Sequence, residues 1–456
     1  MKVFLLLFLL TGFSYSQSLS KPNVVMICID DLNDWVGFLE GHVDAKTPHM
    51  DKLANSGRNF SNAHCVVPVC SPSRISVMSG LHAVTHGSYD LGTPYSSIKR
   101  LDNVSTLQAH FQKNGYLSAG GGKVLHHGFN GRLAKDFDLV LSGRGGPKPK
   151  GKMNYPGGAW DWGAFPEKDE QMGDYELSKN ASAFLRKKHD KPFFLSLGIY
   201  RPHVPMFVPQ KWFDLYDKEK IKLPNNPVSD LDDIPPNFKG RLNIEPAHED
   251  ILKKGDWRGM VQAYLACVSF ADHCVGEVLK GLHEGPNKEN TIVVLWSDHG
   301  FHLGEKQKWA KRTLWEESTR VPFIISGPGI KPGACAEAVS LLDIFPTLVE
   351  LCGINSPDQL DGLSLGAQLK DPAEERQQPV LISSYYGNHS IRSKRWRYIR
   401  YKDGAEELYD HSVDQDEFKN LAQNPEYAEI KKMLAGNLPE DAALEVKKSG
   451  AKKKKK

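Results

Sequence analysis

Asn23-Val24-Val25-Met26-Ile27-Cys28-Ile29 reads as an apolar run that stops at two adjacent carboxylates, Asp30-Asp31. A run with no polar break after Asn23 suits a strand buried on both faces, as in a sheet covered by helices. The pattern recurs. Thr291 to Trp296 ends in Ser297-Asp298-His299, and Pro192 to Tyr200 ends in Arg201-Pro202-His203. A shorter run, Gly115 to Ala119, leads through three glycines into Lys123-Val124-Leu125-His126. Helical patterns alternate with these runs, among them an amphipathic one from Trp257 to Leu282 on which Asp272 and His273 read as structural. Together they predict an α/β fold with substantial parallel pairing. In open α/β sheets, ligands bind beyond the carboxyl ends of the strands. Four runs that each deliver a carboxylate, imidazole or ammonium at that edge therefore point to one site. Each ending has an ordinary reading on its own, since Asp after a strand is often a turn former or helix cap. The recurrence carries the argument.

The chain has 456 residues, which exceeds one typical core and predicts a large domain plus a smaller unit. Hydrophobic residues at 40% and charged residues at 25% are ordinary for a soluble globular enzyme. Lys2, the apolar Val3 to Leu10, and the small Ser14 and Ser16 form a signal-peptide pattern over residues 1–16, with a cut near Gln17. Export to the periplasm or medium is the expectation. That run is too short for a permanent membrane span, and no other segment is long and apolar enough. The formal charge of +3 is set by lysines at 447, 448 and 452–456, inside a Lys-rich tail over 441–456 that reads as solvated and disordered. Without them the body is mildly acidic, and nothing resembles a nucleic-acid module. Of the seven cysteines, Cys28 and Cys267 fall in apolar patterns and read as buried thiols, while spacing assigns no disulfides.

Asp30, Asp31 and Asp298 form a hard oxygen cluster suited to Ca²⁺ or, less well, Mg²⁺, with His299 as a softer fourth ligand. A thiol at Cys70 would suit neither ion, so position 70 belongs in such a site only if its side chain carries oxygen. In Cys70-Ser71-Pro72-Ser73-Arg74, Ser71 reads as an N-cap and Pro72 as the first helical residue. That would put Cys70 at a positive helix end, with Arg74 one turn on. The plain alternative is a buried cysteine beside a capped helix.

Cys-x-Pro-Ser-Arg followed by Met78-Ser79-Gly80 resembles the formylglycine signature of type I sulfatases, of the alkaline-phosphatase-like superfamily. Pro48 to Gly57, Ser297 to Gly304, and Glu407 to Asp410 through Asn420-Leu421 are similar to further family segments. Gly122 to His126, Arg201-Pro202-His203 and Trp309-Ala310-Lys311 look most like the iduronate-2-sulfatase branch, which also carries His at position 299. Residues from about Arg132 to Asp174 match poorly. The resemblance implies a large, mixed, mostly parallel sheet flanked by helices over residues 17–376. It also implies a small C-terminal subdomain of antiparallel sheet plus helix over 377–440. A maturation enzyme would oxidise Cys70 to formylglycine, and Asp30, Asp31, Asp298 and His299 would hold a divalent cation with it. One hydroxyl of the hydrated aldehyde would then attack sulfur, steadied by Arg74, with Lys123 and Lys311 clamping the sulfate. His203 would protonate the departing sugar oxygen, Lys311 assisting, and His126 would deprotonate the second hydroxyl so that sulfate leaves. His127 and His302 read as supports for these residues, and His82 and His86 as supports for the helix after Cys70. Asn388, His389 and Arg392, ahead of the strand pattern Trp396 to Tyr401, are candidates to reach the substrate; arginines there otherwise read as a solvated edge. The expected substrate is a sulfated carbohydrate, with 2-sulfated uronic acid favoured. The alternatives are a phosphodiesterase or phosphonate monoester hydrolase of the same superfamily, or a glycan-binding protein with Cys70 unmodified.

Overall fold

The computed structural model describes residues 21–128, 131–155, 159–236 and 246–446. The signal-peptide pattern and the last lysines lie outside the described residues. An eight-stranded sheet runs through the molecule in the order Gly333–Cys335, Arg58–Phe60, Phe323–Ser326, Thr291–Ser297, Asn23–Asp30, Phe193–Pro202, Leu117–Gly122, Leu139–Leu141. Only Phe323–Ser326 runs antiparallel to its neighbours, so the sheet is mixed and mostly parallel.

The unbroken apolar run at the start of the chain is the central strand, and its burial explains its composition. Val25, Ile27 and Ile29 enter the core on one face; Val24, Met26 and Cys28 enter the core on the other. Thr291–Ser297 splits its side chains in the same way. Two-residue alternation with helices on both sides leaves no solvent face for polar residues. The helix Trp257–Glu284, 28 residues long, packs against one face beside the helix Gly173–Leu185. Asp272 accepts the backbone N–H groups of His49 and Met50, at the start of the helix Pro48–Ser56. It is structural.

The central strands run in register to one edge. Ile29 lies opposite Ile199 and Ser297, and the chain shifts register between Ile29 and Asp30 before its side chains leave the sheet. The fourth strand is Leu117–Gly122, longer toward the glycines than the sequence suggested. Gly198 is required there: a Cβ would meet the Lys123 backbone carbon at 2.1 Å. Lys123 N–H donates to the Gly198 carbonyl at 2.8 Å across that contact.

Val380–Ser383, His389–Arg392, Trp396–Arg400 and Glu406–Asp410 form a separate antiparallel sheet, against which the helix Ala428–Ala435 packs. Arg400 is exposed, as a solvated edge would have it, but Arg392 and Arg397 are not. Arg392 and Arg397 are buried and pair with Glu316, while Arg397 also pairs with Glu417. Strand His389–Arg392 is interior to its sheet, and one of its faces packs onto the large domain instead of water. All seven cysteines are free and buried. No helix among the described residues is long and apolar enough to cross a membrane.

Candidate active site

The helix Cys70–Ser79 begins at Cys70 itself, preceded by an extended Val69 that makes no side-chain cap. Ser71 is therefore inside the helix and is not its cap, and Pro72 stands at the third helical position. Cys70 still sits at the positive end of the helix, where free N–H groups favour negative charge. The Ser71 hydroxyl instead donates to the Thr93 carbonyl at 3.4 Å. All ten helical residues are buried.

Around Cys70 the strand ends converge. Its Sγ lies 3.2 Å from His299 Nε2, 3.1 Å from Lys311 Nζ and 3.6 Å from Asp31 Oδ1, and His126 lines the same cavity. This sulfur stands where an oxygen of an oxidised side chain would lie. Burial alone would push the thiol pKa up, but Lys123, Lys311 and His299 bring it well below the usual thiol range. A position that so stabilises a thiolate stabilises any anion placed there.

The carboxylates sit beneath it. Asp30 accepts from Arg74 Nη2 at 3.1 Å and pairs with Lys123; Asp298 accepts from Arg74 Nε at 2.7 Å. Asp31 accepts from Lys311 Nζ at 2.5 Å, and its own N–H donates to Asp298 Oδ1 at 3.1 Å. Burial raises the Asp298 carboxyl pKa to about 6 against the opposing charge of Arg74. Burial also works against protonated His299, yet the charge of Asp298 overrides it and lifts the imidazole to about 9. Asp30 goes the other way: burial is outweighed chiefly by Lys123, and its carboxyl falls below the ordinary range.

The residues fit a hard divalent cation. Ligand atoms of Asp30, Cys70, Asp298 and His299 lie within 4.8 Å of one another, as do those of Asp30, Asp31, Cys70 and His203. Asp31 Oδ2 is buried without a hydrogen-bond partner, an arrangement costly unless a cation meets it. His299 Nδ1 bonds the Gly300 carbonyl at 2.9 Å, which leaves Nε2 facing the cluster. Asp31 holds a left-handed backbone, φ 64°, a conformation Asp tolerates better than most residues.

Arg74 does not meet the expectation that it steadies an oxyanion at position 70 by contact. Its donors go to Asp30, Asp298 and the carbonyls of Lys123 and Val124. It fixes the cation ligands, and its charge reaches Cys70 only through space. Lys123 likewise contacts Asp30, its ammonium lying 4.9 Å from the ring centre of Tyr200. His203 Nε2 stands 3.9 Å from Asp31 Oδ2, and the residue is partly exposed beside Cys70. Asn388 and His389 are not brought to the site. Asn388 Oδ1 accepts from Lys402 N–H, and His389 Nδ1 meets Ser383 Oγ at 2.8 Å, both inside the small sheet. Their place is fixed by cross-strand bonding that the sequence pattern alone does not reveal.

A cavity of about 190 Å³ opens onto this cluster, lined by Asp31, Cys70, His126, His203 and Lys311 together with Trp160, Leu91 and Lys308. His127 lines a neighbouring cavity that shares His126, and His302 bonds Thr313 Oγ1 at 2.7 Å. His86 Nε2 lies 3.0 Å from Ser76 Oγ, and His82 caps the next short helix. The sequence reading missed Ser73, whose hydroxyl donates to the Asp298 carbonyl at 2.6 Å, and Tyr264, whose hydroxyl donates to the Asp31 carbonyl at 2.8 Å. Ser73 lies three residues past Cys70 on the same helix, a spacing that could have marked it. Tyr264 carries no local signal.

The sulfatase family matches residues 22–354. This chain belongs to the sulfatase family. The C-terminal region of N-sulphoglucosamine sulphohydrolase matches residues 304–443 of this sulfatase. A sulfatase of Formosa agariphila is 40% identical over 451 residues, covering 94% of this chain and 88% of that protein. The delta 4,5-hexuronate-2-O-sulfatase of Bacteroides thetaiotaomicron is 28% identical, covering 91% and 87% respectively. The solved structure of a 2-O GAG sulfatase superposes with a TM-score of 0.73 at 25% identity, covering 91% of each chain. The sulfatase is thus a sulfuric ester hydrolase built on the alkaline-phosphatase-like fold.

Proposed function

We propose that this sulfatase removes the sulfate ester of a 2-sulfated uronic acid in fragments of a sulfated polysaccharide, after export and after oxidation of Cys70 to formylglycine. The observation that carries the reading is the orphaned Asp31 Oδ2 beside a position-70 side chain ringed by Lys311, His299 and His126. Asp30, Asp31, Asp298 and His299 would hold Ca²⁺, since three carboxylates make a hard oxygen set. Bound there with formylglycine, the ion supplies a nucleophilic hydroxyl at neutral pH and neutralises charge on the sulfate.

This chain's residues do the rest. Lys311, close to position 70 and only partly exposed, holds a sulfate oxygen as charge spreads over it. Lys123 acts from behind Asp30. His203, on the cavity side, is placed to give its proton to the departing sugar oxygen. His126, beside position 70 in the cavity wall, takes the proton whose loss releases sulfate. The volume is smaller than the ~300 Å³ of pockets that hold drug-sized ligands, and suits a single sugar ring. The delta 4,5-hexuronate-2-O-sulfatase and the 2-O GAG sulfatase support a 2-sulfated uronate as substrate.

The test has two parts. Mass spectrometry of the Cys70 peptide, from protein made in its own host, should show the aldehyde. Turnover of 2-sulfated uronates should exceed that of hexose sulfates, and aryl sulfate should be cleaved faster than aryl phosphate diester. An unoxidised thiol would favour a glycan-binding protein, and preference for the diester would favour a phosphodiester or phosphonate hydrolase.

A further inference from the structure

Lys308 lines the cavity that holds Cys70, His203 and Lys311, and it is only 3% exposed. Its neighbours in sequence with cationic side chains all have counterions: Lys306 pairs with Asp230, Lys311 with Asp31 and Arg312 with Asp90. Lys308 has none among the described residues. The charged or titratable groups that act on it are Arg312 and the buried imidazole of His302, neither of which can neutralise an ammonium. Burial, with Arg312 adding repulsion, pushes its pKa down to about 8, so it remains largely charged at neutral pH. A buried cation without a partner is costly, and persists where something binds it.

The backbone around it is costly too. Lys306, Gln307, Ala310 and Arg312 all hold left-handed φ angles, between 50° and 83°. Such non-glycine strain is costly and collects at ligand-binding segments. Within this one short segment both Lys308 and Lys311 line the same cavity, together with the apolar Trp160 and Leu91.

We propose that Lys308 binds a second anionic group of the substrate, the carboxylate of the sugar ring whose sulfate meets Lys311 and position 70. The inference rests on the sulfated-uronate reading above and names the residue that selects for it. Lys311 reads the ester that is broken, and Lys308 reads the acid that is not.

The test compares matured wild type with Lys308→Met and Lys308→Arg on four probes. These are a 2-sulfated uronate methyl glycoside, its carboxyl-reduced C6-alcohol counterpart, a 2,6-disulfated hexose glycoside, and nitrophenyl sulfate. Wild type should favour the uronate over the alcohol by about 30-fold in kcat/KM, the worth of one charge-assisted bond in a dry site. Lys308→Met should lose about 30-fold on the uronate, mostly through KM, and at least tenfold less on the alcohol and on nitrophenyl sulfate. Lys308→Arg should retain most of the preference. Wild-type KM for the uronate should also climb above pH ~8 as Lys308 loses its proton, with no such rise for the alcohol. Equal losses on uronate and alcohol in Lys308→Met, or a larger loss on the disulfated hexose than on the uronate, would overturn the proposal. Wild-type turnover of the alcohol or nitrophenyl sulfate without turnover of the uronate would instead sink the uronate reading itself. Thermal melting of each variant separates a binding loss from a folding loss.

Discussion

Asp31→Asn is the sharpest perturbation of the proposed cation site. The change is nearly isosteric, and Asn tolerates the left-handed backbone that Asp31 holds at φ 64°. The Asn carbonyl can still accept from Lys311, which bonds Asp31 Oδ1. What disappears is a negative charge, together with the oxygen that has no hydrogen-bond partner among the described residues. In the cluster, Asp30, Asp31 and Asp298 face Arg74, Lys123 and Lys311, three carboxylates against three lysine and arginine cations before a divalent ion is added. Removing one carboxylate leaves a net positive cradle for a cation. A weakening of calcium binding by ~100-fold, about 2.7 kcal/mol, is a modest expectation for losing an anionic ligand. Ligand linkage converts this directly into stability at saturating calcium. With an unfolding entropy of roughly 0.9 kcal/mol/K for a chain of this size, the calcium-dependent rise in Tm should shrink by ~3 °C. The assay is differential scanning of both proteins in excess calcium and in chelator. In chelator Asp31→Asn should itself melt lower, because the lost charge pairs with Lys311 and faces His299, so the comparison is between the calcium-dependent shifts of the two proteins. An undiminished calcium-dependent shift in Asp31→Asn would refute the assignment of Asp31 as a ligand.

Four further expectations are open to measurement. His203→Gln should slow a sugar sulfate by at least ~100-fold but nitrophenyl sulfate by far less, since a good leaving group needs no proton; equal slowing would remove His203 as the acid. Lys311→Ala should lower kcat by ~100-fold or more, as removal of an oxyanion donor does, and a change confined to KM would contradict this. Arg397→Met should cost ~3–5 kcal/mol by removing the buried guanidinium shared by Glu316 and Glu417, which leaves Glu417 to His411 and the Glu316 N–H, read as a Tm drop of ~4 °C; the paired change with Glu417→Leu should cost less than the single one. Burial raises the Asp272 carboxyl to about 7, so the native state binds a proton that the unfolded chain has released. Its stabilising effect is complete below the unfolded pKa near ~4 and fades as pH rises through 7, so the stability of Asp272→Asn, measured by denaturation, should gain on that of wild type across that window.

The positions of the carboxylates and imidazoles at the sheet edge were legible in the sequence because strand periodicity is local. A chain buried on both faces must be apolar until it leaves the sheet, and Asp30, His203 and Asp298 mark where it leaves. The start of the helix at Cys70 was nearly legible, but its cap was misassigned to Ser71: the chain is extended only up to Val69, and the Ser71 hydroxyl goes to the carbonyl of Thr93, twenty-two residues on. Three features came only from tertiary structure. Arg74 turned its donors onto Asp30 and Asp298, because their spacing in space, across more than two hundred residues of chain, decides where a guanidinium finds partners. Asn388 and His389 went to the small sheet's own hydrogen bonds and not to the cavity. Lys308 carries no signal of its own in the sequence, and only folding showed it buried with no counterion among the described residues, since a missing partner is a property of everything around a residue and of nothing within its sequence neighbourhood.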